Sequence, residues 1–185
     1  LFIISAFRSV TSQEASAMGR LWAWWDGLEM LKANPIFGIG GNNFLDQHGR
    51  VAHNTYIQVA AELGLLGYII WCTVLFLTLF MAFSIINYAK KINLNDASKE
   101  LKTEIALCTT CFYSLCGFAM TAFFLSRHLF IIYYMVAGLT IASYLRLRKT
   151  NANEIFFDLK KTIKQIILIE IVILIFIYII LKFTV

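Results

Sequence analysis

The stretch that opens at Gly64 and closes at Asn87 reads GLLGYIIWCTVLFLTLFMAFSIIN, 24 residues without one charged side chain. At about 1.5 Å of rise per residue, a helix of that length crosses the roughly 30 Å hydrocarbon core of a bilayer. Residues 105–125, 128–144 and 166–181 form further apolar runs, the last two shorter. The whole chain is 59% hydrophobic and 15% charged, with a mean hydropathy of +0.72. That balance is too apolar for a soluble domain and fits a chain solvated by lipid. The expected fold class is therefore all-α: a polytopic helical membrane protein with an extracytoplasmic helical and loop segment over residues 1–63 and transmembrane helices over 64–185. The chain opens on Leu1-Phe2-Ile3-Ile4 with no charged region ahead of it, which reads as the stub of a span in the C-terminal part of a longer protein, not as a signal peptide.

The charge pattern orients these spans. Lys90, Lys91, Lys99 and Lys102 fall in one connection, and Arg146, Arg148, Lys149, Lys160, Lys161 and Lys164 in another. The positive-inside bias assigns both to the cytoplasm. Residues 1–63 then face outward, where Arg8, Arg20, Lys32 and Arg50 are outnumbered by Glu14, Asp26, Glu29, Asp46 and Glu62, and four spans carry the C-terminus outward. The net charge of +5 is thus explained by topology, and no basic stripe with interleaved aromatics points to a nucleic-acid partner. Cys72, Cys108, Cys111 and Cys116 all lie in the apolar runs, where a thiol behaves as a small apolar group. Cys108-x2-Cys111 has neither a second pair nor a nearby histidine to make a redox or metal site. Glu170 is the one acidic residue deep in an apolar run, close enough to the cytoplasmic end that its carboxylate is expected to snorkel.

The outward segment carries the polar chemistry. Residues 16–33 read as a helix, with Ser16 as N-cap, Leu21, Leu28 and Leu31 at helical spacing, and Asn34-Pro35 as its stop. It is too polar to span, and Trp22, Trp24 and Trp25 around it suit the membrane interface. The run Phe37-Gly38-Ile39-Gly40-Gly41-Asn42-Asn43-Phe44 must be a loop, since its glycines permit positive φ. Such loops can cradle phosphate with their amides, although the Lys-Ser/Thr ending of a P-loop is missing. His53 and Asn54 then open a helix that continues through Ala60, Gly64 and Gly67, small residues that permit close helix packing. A histidine beside the membrane is a natural proton acceptor near neutral pH. Arg20 and Arg50 share its segment and suit a phosphate or pyrophosphate. His48 is a loop residue, and with His53 it forms no HExxH or histidine-carboxylate cluster, so no metal and no other cofactor is expected.

His53-Asn54, nine residues, Gly64, two residues, Gly67, preceded by Arg20-x-Trp22 and by Pro35-Ile36-Phe37-Gly38-Ile39-Gly40, resembles the pattern of the O-antigen ligase and polymerase superfamily. The likeness runs over residues 17–68 with its three motifs in order. It implies a GT-C-like, metal-independent membrane glycosyltransferase in the inner membrane of a bacterium, which moves a glycan from an undecaprenyl-pyrophosphate-linked donor to an acceptor hydroxyl outside the cytoplasm. The acceptor would be a glycolipid, glycan or protein, so O-antigen ligase, repeat-unit polymerase and protein O-oligosaccharyltransferase all share the pattern. His53 would be the catalytic base, Arg20 the pyrophosphate-binding arginine aided by Arg50, and Asn54 an orienting residue, with Gly38, Gly40, Gly64 and Gly67 shaping the pocket. Tyr68 stands where ligases often carry Thr or Val, and the further arginine of the family would lie in a region ahead of Leu1 or correspond to Arg8. A transporter or scaffold is the reading from another class, but it would more often break or charge its spans near their midpoints.

Overall fold

A computed structural model describes residues 2–150 and 158–184, with side chains described over 16–149 and 158–183. Leu1 and the side chains of Arg8 and Glu14 lie outside the described residues. The described chain is all-helical: α1 (Phe2–Ala33), α2 (Phe44–His48), α3 (Thr55–Ala89), a 3-10 turn (Leu94–Asp96), α4 (Lys99–Thr121), α5 (Ile131–Thr150) and α6 (Leu159–Thr184). Three of these helices, Thr55–Ala89, Lys99–Thr121 and Leu159–Phe183, are long and apolar enough to cross a membrane. The run expected to span over 128–144 differs. Its helix starts only at Ile131 and ends with Arg148 and Lys149 in its last turn, which shortens its apolar stretch.

The chain divides into two compact units. The first gathers residues of 2–68, 122–128 and 172–184. Here α1 is longer than the sequence predicts. It runs uninterrupted from Phe2, so Ser16 is an interior residue and not an N-cap. The helix ends at Ala33, ahead of Pro35, as the steric bias of a proline on its preceding residue requires. Gly27 lets α1 close down on Phe44 and Ile57, because a Cβ there would lie 3.0 Å from the Phe44 ring. Phe44, Ala52, Tyr56, Ile57, Val59, Ala60 and Ala61 are fully buried in this unit.

The second unit holds residues 69–121 and 129–171. Its α4 and α5 pack together, and Ile85, Tyr88, Ile105, Cys108, Tyr144 and Leu147 form one core cluster. Arg146 closes that end with a two-pronged ion pair to Glu104, at 2.7 and 3.0 Å, and the Ser143 hydroxyl bonds the same carboxylate. Toward the other end, Phe118 and Tyr133 stack with ring centroids 4.6 Å apart, beside Trp71. Glu170 does not snorkel. It is 2% exposed and accepts a hydrogen bond from Thr73 Oγ1 at 3.2 Å, because a partner within reach is a better solution for a carboxylate in an apolar run than an unsatisfied one. The large side chains left exposed on α6, among them Leu168, Val172 and Phe176, are those a lipid-facing helix presents.

Candidate active site

The site is built around a break in α3. Gly64 has φ 68° and ψ −172°, a region that only glycine occupies readily. A helix interrupted there leaves backbone groups without their i→i−4 partners, and these must be satisfied elsewhere. The loop that follows α1 satisfies them. Ile39 N–H donates to the Ala61 carbonyl and Gly40 N–H to that of Glu62, each at 2.9 Å, while Leu65 N–H donates to Pro35 O at 2.9 Å and Leu66 N–H to Ile36 O at 3.4 Å.

Two glycines make this approach possible. Gly38, at φ 69°, would drive a Cβ into the Glu62 carbonyl and the Gly64 nitrogen, and a Cβ on Gly64 would strike the Ile36 carbonyl and the Gly38 nitrogen. The sequence expectation for Gly64, close packing between helices, is corrected by this geometry: it is a break, filled by a loop. Gly67 makes room for the side chain of Leu63 one turn back on its own helix. Gly40, at φ 97°, turns the chain over Asn43, whose side-chain amide donates to Ile39 O at 2.9 Å. With the amides of Gly38, Ile39 and Gly40 all engaged, they are not the phosphate cradle that a glycine-rich run can form.

His53 sits immediately before α3 with φ 51°, one of two non-glycine residues described at positive φ. Its neighbours hold it there. The Trp24 indole N–H, from α1, donates to the Ala52 carbonyl at 2.8 Å. Asn54 is the N-cap of α3, its Oδ1 accepting from Ile57 N–H at 3.1 Å, the geometry that satisfies an orphan amide of a first helical turn. Thr55 bonds a turn at the end of α4, donating its N–H to Ala122 O at 2.7 Å and its hydroxyl to Leu125 O at 2.5 Å. The His53 ring is half-buried and makes no hydrogen bond or ion pair among the described residues. Asn54 is fully buried, and its Nδ2 has no hydrogen-bond partner among them.

Arg20 lies on α1 one turn before Trp24, the residue that holds Ala52. It lines a cavity of about 390 Å³ together with Ser16, Ala17, Leu21, Trp24 and Phe124. Arg50 reaches the same part of α1, since a Cβ on Gly19 would come within 3.1 Å of its Nη1. Both guanidinium groups are exposed. Arg20, Arg50, His53 and Asn54 are thus gathered in one unit around α1 and the start of α3. Trp24 is not merely an interfacial aromatic; it ties these two elements together. His48 is engaged structurally, with Nδ1 2.6 Å from Asp26 Oδ2.

Sequence reasoning missed Glu62 and His128. Glu62 is fully buried, and its carboxylate accepts from Gln58 Nε2 at 2.9 Å and from Phe44 N–H at 3.4 Å, with the Asn42 amide as a further donor. His128 Nε2 lies 3.3 Å from its other oxygen. Glu62 therefore ties the glycine loop and the turn after α4 to α3. The signal was present in the spacing: Asn54, Gln58 and Glu62 recur every four residues, a polar stripe along one buried face of an otherwise apolar helix.

Residues 1–72 match the family described as O-Antigen ligase, a match that supports assignment to the O-antigen ligase and polymerase superfamily and a membrane function of that type. No curated protein and no solved structure matches the chain.

Proposed function

We propose that this membrane protein, with its O-antigen ligase family segment, transfers a glycan from an undecaprenyl-pyrophosphate-linked donor to an acceptor hydroxyl on the extracytoplasmic face, without a metal ion. The observation that carries the reading is His53: a half-buried histidine at φ 51°, held by Trp24 on one side and by the Asn54 cap on the other, with exposed Arg20 on α1 and exposed Arg50 reaching that helix at Gly19. Unusual backbone conformations that are fixed by their neighbours cluster at functional sites.

In the proposed step the acceptor oxygen attacks the anomeric carbon while His53 takes the hydroxyl proton. The bond from the anomeric carbon to the phosphate oxygen breaks, and its electron pair leaves with undecaprenyl pyrophosphate, whose charge Arg20 and Arg50 offset. No nucleotide is consumed. The Asn54 amide nitrogen, buried and unpartnered, supplies a donor beside the base to orient the acceptor or the donor. The same proposal serves a lipopolysaccharide ligase, a repeat-unit polymerase or a protein O-oligosaccharyltransferase, because it specifies a leaving group and a base and leaves the acceptor open.

The test is glycan transfer by the reconstituted full-length protein. His53→Ala is expected to lower kcat by at least about 100-fold, the typical contribution of a positioned general base, with donor binding retained. Arg20→Ala is expected to weaken donor binding. Full transfer by His53→Ala would remove the base assignment.

A further inference from the structure

Arg127, in the turn between α4 and α5, is a cation that the reading above leaves unused. We infer that it is a further binding residue for the pyrophosphate of the lipid-linked donor, presented beside His53 by a turn that folds with the catalytic segment; the inference rests on the function proposed above. Residues 122–128 fall in the same compact unit as α1 and the start of α3. The turn is fixed at several points to the first residues of α3. Besides the two bonds from Thr55 to Ala122 and Leu125, Arg127 N–H donates to Thr55 Oγ1 at 3.0 Å, so the backbone of Arg127 is pinned two residues beyond His53. Phe123 packs on Tyr56 with ring centroids 4.6 Å apart, and His128 is locked under the turn by Glu62 at 3.3 Å.

The same turn reaches the Arg20 cavity, where Phe124 forms part of the wall. Arg127 thus lies three residues after a wall residue of the cavity, with its backbone bonded two residues beyond the proposed base. Its guanidinium is exposed and has no acidic partner among the described residues, so no ion pair must break before it meets an anion. The buried, unpartnered Asn54 Nδ2 marks the same corner as one that expects a ligand, since buried polar groups are otherwise satisfied. Under the topology read from the charge pattern, the turn faces outward. An arginine in a short outward connection runs against the positive-inside bias, and a pyrophosphate ligand gives it a purpose. Guanidinium forks match phosphate oxygens in pairs.

The experiment uses the full-length protein in detergent, with undecaprenyl pyrophosphate as the binding probe and undecaprenol as its phosphate-free control. Arg127→Ala is expected to raise Kd for undecaprenyl pyrophosphate and the donor KM about tenfold or more, the scale of one lost charged hydrogen bond, with kcat changed less and undecaprenol binding unchanged. Arg127→Lys should recover part of the loss. The backbone bond to Thr55 survives either substitution, so folding is not at stake in the side chain. Unchanged Kd and KM in Arg127→Ala, beside a clear loss in Arg20→Ala, would overturn the role of Arg127 alone. Equal loss of undecaprenol and undecaprenyl pyrophosphate binding would overturn it too, by showing a structural effect. If Arg20→Ala and Arg127→Ala both bind the probe normally, the donor assignment falls and this inference with it.

Discussion

At the scale of single residues, the conformation of His53 is the feature that needs maintenance. A non-glycine residue at φ 51° sits in the left-handed region, where cost is of order 1–3 kcal/mol and persistence requires neighbours that over-determine it. Trp24 is one of those neighbours. Trp24→Phe keeps most of the ring packing but leaves the Ala52 carbonyl without its indole donor, at a cost of ~1 kcal/mol for one hydrogen bond. If His53 is the base as proposed, the expected outcome is a slightly lower Tm and a fall in kcat that exceeds any change in donor KM, because the aim of the proposed base is disturbed and the arginines proposed to hold the donor are not. Trp22, 51% exposed on the same helix, is the matched control. Trp22→Phe should leave steady-state kinetics nearly unchanged. Equal losses in the two variants would mean that the Trp24 bond does not position His53.

At the scale of elements, the unit of construction is a loop docked into a helix break. Neither half makes sense alone: α3 without the loop has free carbonyls at Ala61 and Glu62, and the loop without the break has no partners for Ile39 and Gly40. Gly64→Ala attacks both. It places a Cβ against the Ile36 carbonyl and forces a side chain into a glycine-only conformation, worth about 1–3 kcal/mol before the overlap is counted. A marked drop in Tm and loss of transfer are expected, with His53 chemically intact. Gly41→Ala, where a Cβ would meet only Leu63 at 3.9 Å, should be mild by the same thermal-melt measurement; similar Tm values for the two would refute the interlock. Part of this was legible in the sequence. The glycines marked a loop, and Asn34-Pro35 marked the end of α1. Their partnership was not legible, because a left-handed glycine inside an apolar helical run looks like any small packing residue until the carbonyls it frees are located. Glu62 escaped for a related reason: counted as one outward acid in a charge balance, it is a buried hub whose Gln58 partner lies one turn away and whose His128 partner lies 66 residues on in the chain.

At the scale of the whole molecule, hydropathy identifies the fold class because lipid leaves few alternatives to a helix with all its backbone bonds internal. It is less informative about where α3 begins. That helix runs over 35 residues, on the order of 50 Å at the usual rise, longer than a hydrocarbon core. Its break at Gly64 falls where the uncharged run starts, so the polar stripe from Asn54 to Glu62 packs with the proposed catalytic segment and the remainder forms the span. The side of the membrane on which that segment lies rests on the lysines of the 90–102 connection, and it decides whether a lipid-linked donor can be used outside the cytoplasm. Cys72, Cys108, Cys111 and Cys116 are buried or half-buried, so replacing them with Ala yields a background for single-cysteine labelling once its transfer activity is verified. In spheroplasts, a membrane-impermeant maleimide should label Asp46→Cys, beside the glycine loop, and Leu125→Cys, whose side chain is 41% exposed. Asn95→Cys, in the lysine-bearing connection, should react only after lysis. Labelling of Asn95→Cys from outside, with Asp46→Cys and Leu125→Cys protected, would invert the topology and place the proposed base on the cytoplasmic face. Opposite accessibility at positions 46 and 125 would separate Arg127 from His53 across the bilayer.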